Sequence, residues 1–433
     1  MAKVIWNKTP FWRLMAALLP GVGLAIAAQV LLFFGLIQFK LMGMVGEENV
    51  TEVFGIAAGV SCLVIALISP LTGLLADHTY VSMGRRRFWI VAGSFGGFAV
   101  MQLLAYAQNQ LVLVTAWCLA QIFYGLVALS YYAMIPEQVE AERFGRASGI
   151  MSVAGPLFVM LGTVLMGVFA DTPVEDKIVT VAVVQLIFGG LSALIVKDTA
   201  VTAADFSGEK KGMGFSWKNF YPSFRKYPAY TWALLTKLFI YLTNAGLTML
   251  TLFYVTRFHL SETEVFAIGS YTGASIMLTV VAGLLGGFLS DKLKRQKPFV
   301  MGAALVTGVC LVVFAFSGNV WTVVAGYFVF NFGFGLYSAV DNALVNRILP
   351  SRENAGKDIA IMNITTNVSS SLVTFVAPML IGLGSALMGD DGYTLFFLVL
   401  SLCAIFSFLA VIPIPEVGEQ EREEVHKAAE VVL

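Results

Sequence analysis

Charge is what this chain has least of. Asp, Glu, Lys and Arg make up 12% of its 433 residues and hydrophobic residues 58%, with a mean hydropathy of +0.82. Soluble domains carry roughly 25% charged residues, so the apolar side chains here exceed what a water-surrounded core hides, and the solvent is lipid. The 27 basic and 27 acidic residues cancel, which removes any electrostatic case for nucleic acid or an acidic partner. Histidine is nearly missing, and His78, His259 and His426 all fall outside the apolar stretches, which excludes an intramembrane histidine relay. Cys62, Cys118, Cys310 and Cys403 each stand alone in an apolar stretch. They lack the close spacing of a metal site or redox pair and read as small core residues. No zinc or heme motif is present, so neither metal nor cofactor is expected.

A crossing of the hydrocarbon takes roughly 20 apolar residues, and on that length the sequence divides into twelve stretches. They run approximately over 14–39, 53–75, 88–107, 111–134, 147–169 and 177–196, then 230–256, 264–289, 299–317, 320–348, 358–385 and 392–412. The expected fold is therefore an all-α membrane protein of twelve transmembrane helices in two six-helix bundles. Lys3, Lys8 and Arg13 ahead of an apolar run imitate a signal peptide, but the run continues to Phe39 and its loss would leave an odd number of spans.

Orientation follows from the basic residues. With both termini on the cytoplasmic side of the cell membrane, 23 of the 27 lysines and arginines lie in inner segments and three, Lys40, Lys177 and Arg257, in outer loops. The remaining one, Lys237, lies inside a span. Residues 1–196 form the first bundle and 230–412 the second. Residues 197–229 break the pattern with Asp205, Glu209, Lys210 and Lys211 and read as a cytosolic linker. Its second part mixes aromatics with Lys218, Arg225 and Lys226, as a segment at headgroup level does. The tail 413–433 is acidic and solvated.

One motif recurs. Gly73-Leu-Leu-Ala-Asp77 is followed by Arg85, Arg86 and Arg87; 214 residues later Gly287-Phe-Leu-Ser-Asp291 repeats the spacing, followed by Lys292, Lys294, Arg295 and Lys297. A repeat at about half the chain length is an internal duplication. Twelve spans in two halves, with this acid and basic loop after spans 2 and 8, resemble the major facilitator superfamily. Asp77 with Gly84-Arg-Arg-Arg-Phe-Trp89 further resembles the glycoside-pentoside-hexuronide cation symporters and the sucrose-transporter-like group. So do Leu235-Thr-Lys-Leu-Phe239, Ala339-Val-Asp-Asn-Ala-Leu344, Leu349-Pro350 and Ala355-Gly-Lys-Asp358. The resemblance implies transport of a sugar or glycoside by alternating access, often coupled to a proton or sodium ion. It also implies a gating role for Gly73, Asp77, Arg85, Arg86, Arg87, Gly287 and Asp291. An acid there can cap a neighbouring helix N-terminus and pair with arginines; the plainer alternative is that the arginines only enforce topology. His78 stands where the family often has a basic residue.

Polar residues recurring on one helical face point into protein or water. Span 7 carries Lys237, Tyr241, Asn244, Thr248 and Thr251; span 10 carries Tyr327, Asn331, Phe334, Ser338 and Asp341; span 4 carries Trp117, Gln121, Tyr124, Ala128 and Tyr131; span 11 adds Asn363, Asn367, Ser370 and Thr374. Ordinary helix packing by small polar residues is the competing account. In the resembled family spans 1, 4, 7 and 10 line the central cavity. Span 1 shows no stripe, because Gln29 and Gln38 lie nine residues apart, about 180° round a regular helix. Aromatic faces beside amides suit a sugar, whose C–H face stacks while its hydroxyls hydrogen-bond.

Lys237 and Asp341 both lie roughly 10–12 Å in from the cytosolic end at 1.5 Å per residue, and an unpaired charge near a helix centre costs about 2.5–3.5 kcal/mol. We therefore expect an ion pair between them; the alternative is that Lys237 snorkels alone. Sodium-coupled members of the resembled group use acids in spans 2 and 4, which are absent here, so any proton coupling would run through Asp341, the alternative being a facilitator without coupling. A drug, peptide or amphiphile exporter is the second reading. An enzyme needs a catalytic or metal cluster within the spans and a channel a repeated pore ring; neither is present, and a monomeric, non-enzymatic transporter of a small molecule in the lipid bilayer is the expectation.

Overall fold

The computed structural model describes residues 8–77, 79–140, 143–198, 228–293, 295–348 and 355–414. The linker expected at 197–229, apart from its ends, and the tail from 415 lie outside the described residues. So do the side chains of Asp77, Asp291 and Asn363, together with His78.

Among the described residues every regular element is helical, and twelve helices are long and apolar enough to cross a membrane. The first half comprises α1 (Phe11–Leu31) and α2 (Ile37–Val45), α3 (Glu47–Asp77), α4 (Arg85–Ala105), α5 (Gln110–Gln138), α6 (Phe144–Val168) and α7 (Val174–Ile195). The second comprises α8 (Pro228–Ala245) and α9 (Leu250–Phe258), α10 (Glu262–Leu293), α11 (Lys297–Ala315), α12 (Val320–Ile348), α13 (Ala355–Met388) and α14 (Tyr393–Val411). In lipid every backbone N–H and C=O needs an internal partner, which is why the long apolar runs are helices throughout. The connections carry the expected stop and start chemistry. Gly46, His259 and Gly392 take left-handed φ of 79°, 52° and 81° at helix boundaries. Asn109 accepts from the Val112 N–H at 2.9 Å. Ser261 and Glu264 form a capping box, with Ser261 N–H to Glu264 Oε2 at 2.8 Å.

Two spans are broken, and hydropathy gave no sign of it. Span 1 leaves helical geometry at Phe34 (φ −99°, ψ 65°) and Gly35 (φ 98°, ψ −38°), joining α1 to α2 through Leu32–Leu36. Only glycine takes that φ without strain, and the freed Gly35 N–H donates to Gln38 Oε1 at 2.7 Å. Span 7 tightens into a 3₁₀ turn over Gly246–Met249 between α8 and α9. The half-turn offset of Gln29 and Gln38 expected of a regular helix therefore does not apply, because the break lies between them.

The chain forms two compact units, residues 1–213 with 260–274 and residues 214–259 with 275–433, so α10 contributes to both. Each unit has the same internal neighbours. In the first, α4 packs on α5 and α7, and α1 on α6 and α7; in the second, α11 packs on α12 and α14, and α8 on α13 and α14. The duplication seen in the motif thus extends to the packing. Its seams depend on small residues, since lipid supplies no hydrophobic drive between helices. The ring of Tyr124 lies against Gly97 and that of Tyr131 against Gly21, each where a Cβ would collide with it. Gly190, by contrast, faces open space. Gly97→Val is predicted to overpack the α4–α5 seam at a cost of about 1–3 kcal/mol, read as a lowered unfolding temperature of the purified protein, while Gly190→Ala leaves it unchanged.

Candidate transport site

The second unit buries an ion pair at membrane depth. Lys237 Nζ on α8 stands 3.1 Å from Asp341 Oδ2 on α12, with the side chains 5% and 4% exposed. The other carboxylate oxygen, Oδ1, accepts from the Tyr337 hydroxyl at 2.9 Å. The ammonium also lies 5.6 Å from the ring centre of Tyr241, within reach of a cation–π interaction. The expected pair is therefore formed, and Lys237 does not snorkel. Around it the rings make a wall: Tyr241 meets Phe334 edge-on at 5.5 Å, and Phe334 stacks with Tyr337 at 6.3 Å and Phe330 at 6.5 Å. The Tyr241 hydroxyl bonds to Thr366 on α13. Tyr241, Asn244 and Phe334 remain only partly covered.

The remaining residues of the second-half stripes divide into two groups. Asn331 is consumed inside the unit: its Nδ2 donates to Ser275 Oγ at 2.7 Å, Thr279 reaches its carbonyl and amide oxygens at 3.3 and 3.4 Å, and Tyr327 bonds to it. Thr248 donates to the Ala245 carbonyl at 2.7 Å, and Ser370 and Thr374 bond carbonyls of their own helix. Asn244, Ser338 and Asn367 keep partly exposed side chains.

In the first unit the span 4 stripe is mostly seam. Gln121 and Gln29 exchange bonds with each other's backbone carbonyls, at 2.8 and 3.3 Å. Tyr131 bonds to Ser192 of α7. Trp117 sits between Phe33 and Phe54, and Tyr124 is fully buried with no partner for its hydroxyl. The packing account weighed for these stripes describes span 4 better than it describes spans 7 and 10.

At the end read as cytosolic, the arginine run is bound within its own unit. Arg85 Nη2 meets Glu137 Oε1 at 2.6 Å and Arg86 Nη2 meets the same oxygen at 2.8 Å. Asp198 Oδ2 accepts from the N–H groups of Arg86 and Arg87 at 2.8 and 3.0 Å. Asp198 thereby caps α4, the favourable place for an anion at a helix N-terminus. Gly84, at φ 89°, is held so close to this carboxylate that a Cβ would strike it. Arg87 Nε bonds the Ala193 carbonyl at 2.8 Å. Glu137 and Asp198 escaped the sequence reading, because each stands at the end of a span, one acid among several in polar surroundings. Gly73 and Gly287 are helical with open space where a Cβ would stand.

The three cations assigned to outer loops are also paired. Lys40 meets Glu175 at 2.7 Å, Lys177 lies 3.5 Å from Glu262, and Arg257 grips Asp391 through two nitrogens at 2.7 and 2.5 Å. Among the described residues no group of three or more His, Cys, Asp or Glu is arranged to hold a metal.

Residues 45–374 match the family model described as Major Facilitator Superfamily. The chain belongs to the Major Facilitator Superfamily. It is thus a multi-pass membrane transporter of small molecules. It is 29% identical over 369 residues to the multi-drug resistance efflux pump PmrA of Streptococcus pneumoniae, covering 84% of this chain and 86% of that one. Its fold matches the crystal structure of the D-xylose-proton symporter with a TM-score of 0.70 at 14% identity, over 94% of this chain and 98% of that one. It also matches a point-mutant form of the nucleoside transporter NupG with a TM-score of 0.68 at 15% identity, over 92% of this chain and 99% of that one. At such identities the two structures speak for the superfamily fold alone.

Within this superfamily member, removing one partner of a buried pair leaves an uncompensated charge, worth about 3–5 kcal/mol. Lys237→Ala and Asp341→Ala are each predicted to lower the unfolding temperature more than the double variant does. Independent, additive losses in a double-mutant cycle would contradict the pairing.

Proposed function

We propose that the chain is a secondary active transporter that carries a sugar or glycoside by alternating access, in the manner of the glycoside-pentoside-hexuronide and sucrose-transporter-like group it resembles. The observation that carries this reading is the Lys237–Asp341 pair set in a wall of Tyr241, Phe334 and Tyr337. Charge and aromatic faces together exceed what packing needs, and they match a ligand with hydroxyls on its edges and C–H groups on its faces. In this reading Asn244, Ser338, Asn363 and Asn367 supply further polar contacts. The bodies that move are the halves 1–196 and 230–412, joined by 197–229. The motif residues Gly73, Asp77, Arg85, Arg86, Arg87, Gly287 and Asp291 form the cytosolic gate of a monomer with both termini inside the cell membrane. Asp341 is the one described acid deep within the spans, and a coupling proton would use it.

A second reading, export of amphipathic compounds, is supported by the likeness to PmrA, a multi-drug resistance efflux pump similar over most of both chains. Uptake into proteoliposomes separates the two. The sugar reading predicts saturable uptake of a labelled sugar or glycoside that is slowed but still measurable in Lys237→Ala, and an inward proton gradient that accelerates it. Transport of a hydrophobic cation panel with no sugar uptake decides for export.

A further inference from the structure

The ion pair has hydrogen-bonding capacity that the protein leaves unused. An ammonium carries three N–H donors. Among the described residues Lys237 meets only one carboxylate oxygen and the face of Tyr241. A carboxylate offers about four acceptor positions, and Asp341 uses one for Lys237 and one for Tyr337. Both groups are more than nine-tenths buried. Buried donors and acceptors otherwise find partners, so the two groups present side by side an N–H in need of an acceptor and an oxygen able to accept. A group that is itself donor and acceptor satisfies both, and an alcohol O–H is the smallest such group an organic ligand carries.

The charge of the site sharpens this. Lys237 and Asp341 neutralise each other at 3.1 Å in a place that water barely reaches. A ligand that brought a carboxylate or an ammonium would leave three buried charges with a net sign, which is costly in a membrane-spanning segment. No further charged side chain is described in contact with the pair, so among the described residues nothing compensates the extra charge. An uncharged hydroxyl adds no net charge and keeps the pair intact.

We infer that the Lys237–Asp341 pair is a clamp for one hydroxyl of an uncharged polyol, with Nζ donating to the hydroxyl oxygen and a carboxylate oxygen accepting its proton. With both groups charged, the pair selects neutral sugars over both sugar acids and amino sugars. Tyr241 and Phe334, only partly covered, present the aromatic face from which the ligand's C–H side arrives. This rests on the reading of the second-unit face as the transport site, and it narrows that reading from sugars in general to uncharged ones.

The test compares a neutral hexose or glycoside with its uronic acid and its 2-amino counterpart, as competitors of labelled uptake in proteoliposomes held at pH 7. For the wild-type protein the expected order puts the neutral sugar ahead of both charged forms by at least about tenfold. Asp341→Asn leaves the ammonium alone and shifts the acid-to-neutral ratio toward the acid by about tenfold, and Lys237→Gln shifts the amino-to-neutral ratio the same way. Should either variant fail to fold, the wild-type ranking decides by itself. Charged and neutral forms competing equally in the wild type, or ratios unmoved in a folded variant, overturn the clamp while sugar transport stands. Uptake of none of the three sugars overturns the transport reading and the clamp with it.

Discussion

In a low-dielectric solvent a charge persists only beside its opposite, and that constraint organises this protein from end to end. The chain carries little charge, and several of its cations at and within the spans are paired. In the first unit Lys40 and Lys177 pair with Glu175 and Glu262, and Arg85 and Arg86 share Glu137; in the second Arg257 pairs with Asp391. Within the second unit Lys237 and Asp341 form a buried pair. These pairs tie loops and helix ends within a unit. The pair at depth ties no loop. It joins α8 to α12 beside three aromatic rings, at a depth where apolar side chains would pack better. A polar pair kept where hydrophobic replacement is often stabilising points to a task other than stability.

The two breaks give the fold a second layer of organisation. Span 1 opens at Phe34–Gly35 and span 7 tightens at Gly246–Met249, so the first helix of each half is interrupted in its C-terminal part. Interrupted helices free backbone groups that must be satisfied locally, and Gln38 does this for Gly35. A glutamine that reads in the sequence as a stray polar residue is therefore part of the backbone's own hydrogen bonding.

What the sequence disclosed and what it withheld differ for physical reasons. Span length, number and the half-chain repeat were legible because lipid thickness and duplication act on composition directly. The Lys237–Asp341 pair was legible because two charges at matched depth in otherwise apolar helices have few alternatives. The role of span 4 was not: Gln121, Tyr124 and Tyr131 make the same helical stripe whether they face a ligand or the neighbours α1, α4 and α7 that they meet here. Asn331 misled in the same way, since periodicity gives its face but not the Ser275 and Thr279 that consume its amide. Glu137 and Asp198 stayed hidden because an acid at the end of a span is ordinary until its partner is known.

The central claim is that the face bearing Lys237, Tyr241 and Asp341 holds the transported molecule. Asn244 lies on that face, seven residues beyond Lys237 on the same stripe, with its side chain only partly covered. The most direct measurement is alkylation of an Asn244→Cys variant, with the four native cysteines replaced, by a small maleimide in membranes. The account predicts that the thiol reacts and that a transported sugar slows the reaction in proportion to its occupancy. A thiol that reacts at the same rate with and without saturating sugar would contradict it.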